Sequence, residues 1–153
     1  MKTTPLSNPR ILLVDDNHDG LVVRRLLLEE QGYKVETAGN GEEALKLFAA
    51  GSFDVVVTDY RMPLMSGTEL ICAIRKLDPR ARIILLSGFV DPLGLNEQNT
   101  GADAVLLKNA REPAHLARSV KRLLNRPPER KPPASQPGGP GRLRAAARGN
   151  LSH

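Results

Sequence analysis

Apolar and polar positions along the chain follow two alternating periods. "RILLVDD" is a short apolar run, and "HDGLVVRRLLLEEQG" then carries a helical pattern that Gly32 is suited to end. "YKVETA" alternates like a strand, and Asn40 caps a predicted helix in "NGEEALKLFAAG" that closes at Gly51. "DVVVTD" is a third strand. Ser66 and Glu69 have the spacing of a capping box and open a helix through Leu77, where "DP" breaks it. "RIILLSG" is a fourth strand. The next unit, "FVDPLGLNEQNTG", is rich in Pro, Gly and Asn, so any fourth helix should be short or loose. "ADAVLLK" supplies a fifth strand, and Glu112-Pro113 starts a last helix with Leu116, Val120, Leu123 and Leu124 on one face.

A five-fold β-α alternation predicts an α/β fold, a doubly wound parallel sheet covered on both faces by right-handed crossovers. In such folds function gathers at the carboxyl ends of the strands. Strand one ends in Asp15 and Asp16, strand three in Asp59, strand four in Ser87 and strand five in Lys108. Strand two, expected at an edge, contributes nothing. One acid at a strand end is ordinarily a cap or turn residue. Five polar groups converging on one edge point to a site.

Composition changes this picture in one place. The 153 residues carry a net charge of +5, yet Met1 to Asn125 hold as many acidic as basic residues. The excess lies in residues 126–153, "RPPERKPPASQPGGPGRLRAAARGNLSH", where six basic residues face Glu129 alone. Half the prolines are also there, with few large apolar side chains, so the stretch is predicted to be a disordered, solvated tail. It lacks the aromatic residues that stack on bases and the apolar face that enters a lipid surface. No apolar run of membrane-spanning length and no secretory signal pattern occurs, which predicts a cytoplasmic protein. The single cysteine, Cys72, permits no internal disulfide.

Three carboxylates within a few ångströms repel one another unless their pKa values rise or a cation neutralises them. An all-oxygen set without His or Cys selects a hard cation, Mg²⁺ or Mn²⁺. Such an ion leaves positions open for phosphate oxygens. Lys108 offers an ammonium and Ser87 a hydroxyl to the others, and Asp59 can act as a nucleophile that forms an aspartyl phosphate.

With "ILLVDDN" at 11–17, "VVVTDYRMPLMSG" at 55–67, "IILLSG" at 83–88 and "GADAVLLK" at 101–108, residues 8–125 resemble the receiver domain of two-component response regulators, of the single-domain, chemotaxis-regulator type. Residues 1–7 would be an extension. The resemblance implies a flavodoxin-like, five-stranded sheet in the order 2-1-3-4-5. It implies Asp59 as phosphoacceptor, with Mg²⁺ held by Asp16, Asp59 and the backbone carbonyl of Arg61, and by Asp15 through a water. Ser87 would be the switch hydroxyl and Lys108 the phosphoryl contact. The phosphoryl group would come from a histidine kinase or histidine phosphotransfer protein, and an unknown downstream protein would receive the signal. Such a domain assists its own phosphorylation and dephosphorylation without being a conventional enzyme.

Two positions depart from that pattern. Asn109 stands where the family has a proline joined by a cis bond; a cis bond before a non-proline residue costs roughly 2.5 to 4 kcal/mol. Val105 replaces the aromatic switch residue, and Phe89, two residues after Ser87, is a partial substitute whose simpler role is packing under the loop. The alternative reading is therefore a degenerate receiver, an interaction module that no longer switches. A phosphate-ester hydrolase is disfavoured because Arg61 occupies the place where such enzymes put a second acid. A DNA-binding domain is not expected, since no helix-turn-helix follows Asn125.

Overall fold

The computed structural model describes residues 8–88, 94–125, 127, 130 and 131. The alternation is realised in order: β1 (Arg10–Val14), α1 (His18–Glu30), β2 (Lys34–Ala38), α2 (Gly41–Ala50), β3 (Val55–Asp59), α3 (Gly67–Leu77), β4 (Ile83–Ser87), α4 (Glu97–Thr100), β5 (Ala104–Leu107) and α5 (Glu112–Leu124). All strand pairings are parallel, in the order β2-β1-β3-β4-β5. This is the doubly wound, flavodoxin-like sheet expected from the sequence.

Successive side chains of a strand point to opposite faces, so the three central strands feed two core layers. Leu12, Val14, Val56, Ile83 and Leu85 pack with Leu70, Ile71 and Ile74 of α3 and Ala44 of α2. Ile11, Leu13, Val55, Val57, Ile84 and Leu86 pack with Leu21 and Leu28 of α1 and Leu116, Val120 and Leu123 of α5. These side chains are almost fully buried, each contributing roughly 1.5–3 kcal/mol relative to exposure. Edge strand β2 is only partly covered.

The helix signals in the sequence correspond to real caps. The Asn40 side chain accepts from Glu43 N, and Ser66 and Glu69 form the reciprocal capping box; Asn17, which was not among those signals, caps α1 by accepting from Gly20 N. Gly32 takes the left-handed conformation just beyond α1. The fourth helix is a single turn, α4, closed by Gly101 at φ 82°. Among the described residues there is no cis peptide bond, so the Lys108–Asn109 bond is trans.

Most of the basic stretch, the N-terminal extension and Phe89 lie outside the described residues. Lys131, within the stretch expected to be solvated, is instead seated on the domain: its backbone N donates to Pro79 O (2.8 Å) and its Nζ to Ala102 O (3.2 Å). Lys131 thus lies at the end of the sheet opposite the acidic strand ends.

Candidate functional site

Each acid stands where its strand stops. β1 runs out at Val14, and Asp15 N still donates to Ala38 O of β2 (3.1 Å), which holds Asp15 at the sheet's edge. Asp59 is the last residue of β3; the next residue, Tyr60, donates to Leu86 O of β4 (2.8 Å), and Gly67 at the start of α3 donates back to Tyr60 O (2.8 Å). Beyond β5, Lys108 N donates to Ser87 O at the end of β4 (3.0 Å). The strand ends are thus knitted together by backbone bonds.

Carboxylate oxygens of Asp15, Asp16 and Asp59 lie within 4.8 Å of one another; Asp15 and Asp59 are buried and Asp16 is exposed. The Lys108 ammonium donates to Asp59 Oδ1 at 2.8 Å. Tyr60, Arg61, Ser87 and Gly88 line the same open cleft. Every residue that the sequence placed in the site, Asp15, Asp16, Asp59, Arg61, Ser87 and Lys108, is therefore brought to one place. Val105 is not there: it lies in β5 opposite Leu85 and packs, half-buried, against the aliphatic layer of α3. Asn109 begins the β5–α5 loop, exposed, its side chain accepting from Arg111 N (2.9 Å) and its carbonyl from Glu112 N (3.0 Å).

Two contributors escaped the sequence reading. Arg24 of α1 is buried and donates from Nη1 to Asp15 Oδ2 (2.8 Å) and from Nε and Nη2 to the two oxygens of Glu112 (3.0 and 2.9 Å). Glu112, the first residue of α5, is itself buried. The available signal was periodic, because Arg24 sits on the inward stripe of α1 with Leu21 and Leu28. A charge on such a stripe needs a buried partner. Burial opposes the charge on Arg24, but the hydrogen bond and field of Glu112, with those of Asp15, outweigh it and hold the guanidinium above its ordinary pKa.

Burial pushes the Asp59 carboxyl above the usual carboxylate range, the nearby Asp15 adds to the rise, and Lys108 only partly counters it. A raised folded-state pKa means that the folded protein holds the Asp59 proton more tightly than the unfolded chain. Its contribution to stability therefore falls as pH rises from the unfolded value through the folded one. The metal-free Asp59→Asn variant is expected to melt at nearly the wild-type temperature near pH 3.5. Its advantage should then grow to several degrees by pH 7, corresponding to about 1 kcal/mol. Melting curves across that range check this; an advantage that shrinks with rising pH would contradict it.

A family model for the response regulator receiver domain matches residues 11–121. The chain belongs to that family. It is 35% identical over 127 residues to the transcriptional regulatory protein PrrA of Mycobacterium tuberculosis, covering 80% of this chain and 53% of that one. It is also 42% identical over 81 residues to a response regulator receiver protein of Anaeromyxobacter, covering 53% of this chain and 34% of that protein. The chain thus spans about half or less of these curated relatives. Among solved structures, the response regulator TrrA of Thermotoga maritima, in complex with Mg²⁺ and a beryllium fluoride, matches with a TM-score of 0.69 and 39% identity. That alignment covers 76% of this receiver and 99% of the other chain. The chemotaxis response regulator CheY4 of Vibrio cholerae matches with a TM-score of 0.70 and 31% identity, over 77% of this chain and all of that one. Among the described residues of this receiver no helix is long and apolar enough to cross a membrane.

Proposed function

We propose that this receiver is a phosphoacceptor, taking a phosphoryl group onto Asp59 from the phosphohistidine of a kinase or phosphotransfer protein and acting through contact with a downstream protein. The observation that carries the reading is Asp59 itself. It is a buried carboxylate with Lys108 on one oxygen and the Asp15 and Asp16 carboxylates within 4.8 Å.

The donor set suits a hard divalent cation, Mg²⁺ or Mn²⁺: it is all oxygen, anionic, and partly open to solvent through Asp16. Asp16, Asp59 and the Arg61 carbonyl would hold it, with Asp15 acting through a water. When bound, such an ion neutralises charge on phosphoryl oxygens. The remaining work falls to the chain. An Asp59 oxygen attacks phosphorus, the P–N bond to the donor imidazole breaks, and the imidazole leaves with the electron pair and takes up a proton. Lys108, already 2.8 Å from Asp59 Oδ1, moves its ammonium to an oxygen of the transferred group, and the Ser87 hydroxyl serves another. The relative solved with Mg²⁺ and beryllium fluoride supports this reading by analogy. Function in the cytoplasm and self-assisted rather than conventional enzymatic turnover belong to the same proposal.

Incubation with acetyl phosphate and Mg²⁺ should add one phosphoryl group by intact mass. The adduct should be absent from Asp59→Asn and abolished by a chelator. A wild-type protein that gains none would favour the non-switching interaction module, a reading motivated by Val105 and Asn109.

A further inference from the structure

We propose that Glu112 and Arg24 form a tuning pair that sets how strongly the acidic cluster holds its divalent cation, with Glu112 a positioning residue acting on Asp15 through Arg24. The inference rests on the metal-assisted reading above. Both Asp15 oxygens are already engaged, Oδ1 by Asn17 N (3.0 Å) and Oδ2 by Arg24 Nη1 (2.8 Å). Any cation or cation-bound water on Asp15 must share that carboxylate with a guanidinium. Left alone, a buried arginine on a metal-site acid competes with the metal.

Glu112 offsets that competition. Its carboxylate takes Nε and Nη2 of Arg24 in a two-pronged pair, with side-chain exposures of 10% for Arg24 and 8% for Glu112, so solvent screens the pair weakly. The groups joined by these contacts are four carboxylates, Asp15, Asp16, Asp59 and Glu112, and two cations, Arg24 and Lys108. The balance is two negative charges, the complement of one divalent ion. Deleting the Glu112 charge leaves Arg24 with Asp15 as its sole carboxylate partner among the described residues and lowers that balance. Deleting the Arg24 charge frees Asp15 and raises it.

The two deletions must therefore shift cation affinity in opposite directions. A pair that served only to hold α1 against α5 would weaken binding from either side. The same geometry ties the cation site to the first turn of α5, because Glu112 is the residue that starts that helix.

The test is calorimetric titration of Mg²⁺ into the full chain at neutral pH, with circular dichroism confirming folded protein at the titration temperature. Glu112→Gln is expected to bind Mg²⁺ about tenfold more weakly, and Arg24→Gln several-fold more tightly. The double variant should return to within about threefold of wild type. Shifts of the same sign in both single variants, or no shift in either, would overturn the tuning role while leaving the metal-assisted reading intact. Wild type without measurable Mg²⁺ binding would overturn both. Should a variant fail to fold, the wild-type amide spectrum decides. Mg²⁺ should move the Arg111 and Glu112 signals with the same midpoint as Tyr60, and signals that stay in place overturn the proposal.

Discussion

Replacing Arg75 with methionine is expected to remove about 3–5 kcal/mol of stability, a large share of what a domain this size has. Arg75 lies on α3 and is fully buried, the largest such side chain among the described residues. Its guanidinium is completely used. Nε and Nη2 donate to Gly101 O (3.1 and 2.8 Å), Nη1 to the carbonyls of Pro79 and Ala81, and Nη2 also to Asp103 Oδ2 (3.1 Å). Asp103 in turn accepts from Ile83 N (2.8 Å), which fixes the start of β4. One side chain thus joins the end of α3, the entry to β4 and the turn after α4.

Methionine fills similar volume and supplies no donor, so the Gly101 and Ala81 carbonyls lose the donor that Arg75 gives them in a dry place, while Pro79 O and Asp103 Oδ2 each lose one of their donors and keep Lys131 N and Ile83 N. The urea midpoint should fall with little change in slope, and Arg75→Lys should recover less than half, since an ammonium cannot match the five-donor fork. A loss under about 1 kcal/mol would show that the network is not structural. Arg75 meets the sheet at the edge away from the acids, so the folded fraction of the variant should still take a phosphoryl group on Asp59.

Arg75 also illustrates what the sequence reveals and what it hides. Strands were legible because a sheet covered on both faces demands unbroken apolar runs, as in "VVVTD" and "IILLS". Helix starts were legible because Asn40 and Ser66 satisfy specific backbone donors. The acidic cluster could be read because strand ends in this topology meet at one edge. Arg24, Arg75, Asp103 and Glu112 were not read as buried partners, because a charged residue in a polar-looking helix or turn matches a solvated surface equally well. Only their places on inward stripes, Arg24 between Leu21 and Leu28 and Arg75 beside Ile71 and Ile74, carried a signal. The partners lie 28 and 88 residues away along the chain, and no local pattern links them. The seating of Lys131 on Pro79 and Ala102 escaped for the same reason, since composition reports mean polarity and not a single well-placed donor.

Gly67→Ala should have the second large effect, one that reaches the chemistry as well as the fold. Gly67 is the first residue of α3, where alanine would ordinarily favour the helix. Here a Cβ would stand 2.3 Å from Asp59 O, 2.9 Å from Tyr60 Cα and 2.8 Å from Leu85 Cδ1. Two of these are backbone atoms of the strand end that presents the phosphoacceptor, so relief requires the strand end or α3 to shift. A loss of about 2–3 kcal/mol is expected. Displacement of Asp59 from Lys108 and its neighbouring acids should slow phosphorylation by acetyl phosphate by roughly tenfold to a hundredfold. Two other glycines provide the comparison. At Gly41 the nearest atoms to a Cβ are Sδ, Cγ and Cβ of Met65, of which the closest, Sδ, lies on the flexible end of the side chain and can swing aside, and at Gly88, next to Ser87, a Cβ meets nothing within 4 Å among the described residues. Gly41→Ala should cost under about 1.5 kcal/mol, with near-normal phosphorylation, and Gly88→Ala should cost close to nothing in stability. If Gly67→Ala were as stable and as fast as Gly41→Ala, the close approach of α3 to the end of β3 could not be what holds Asp59 in place.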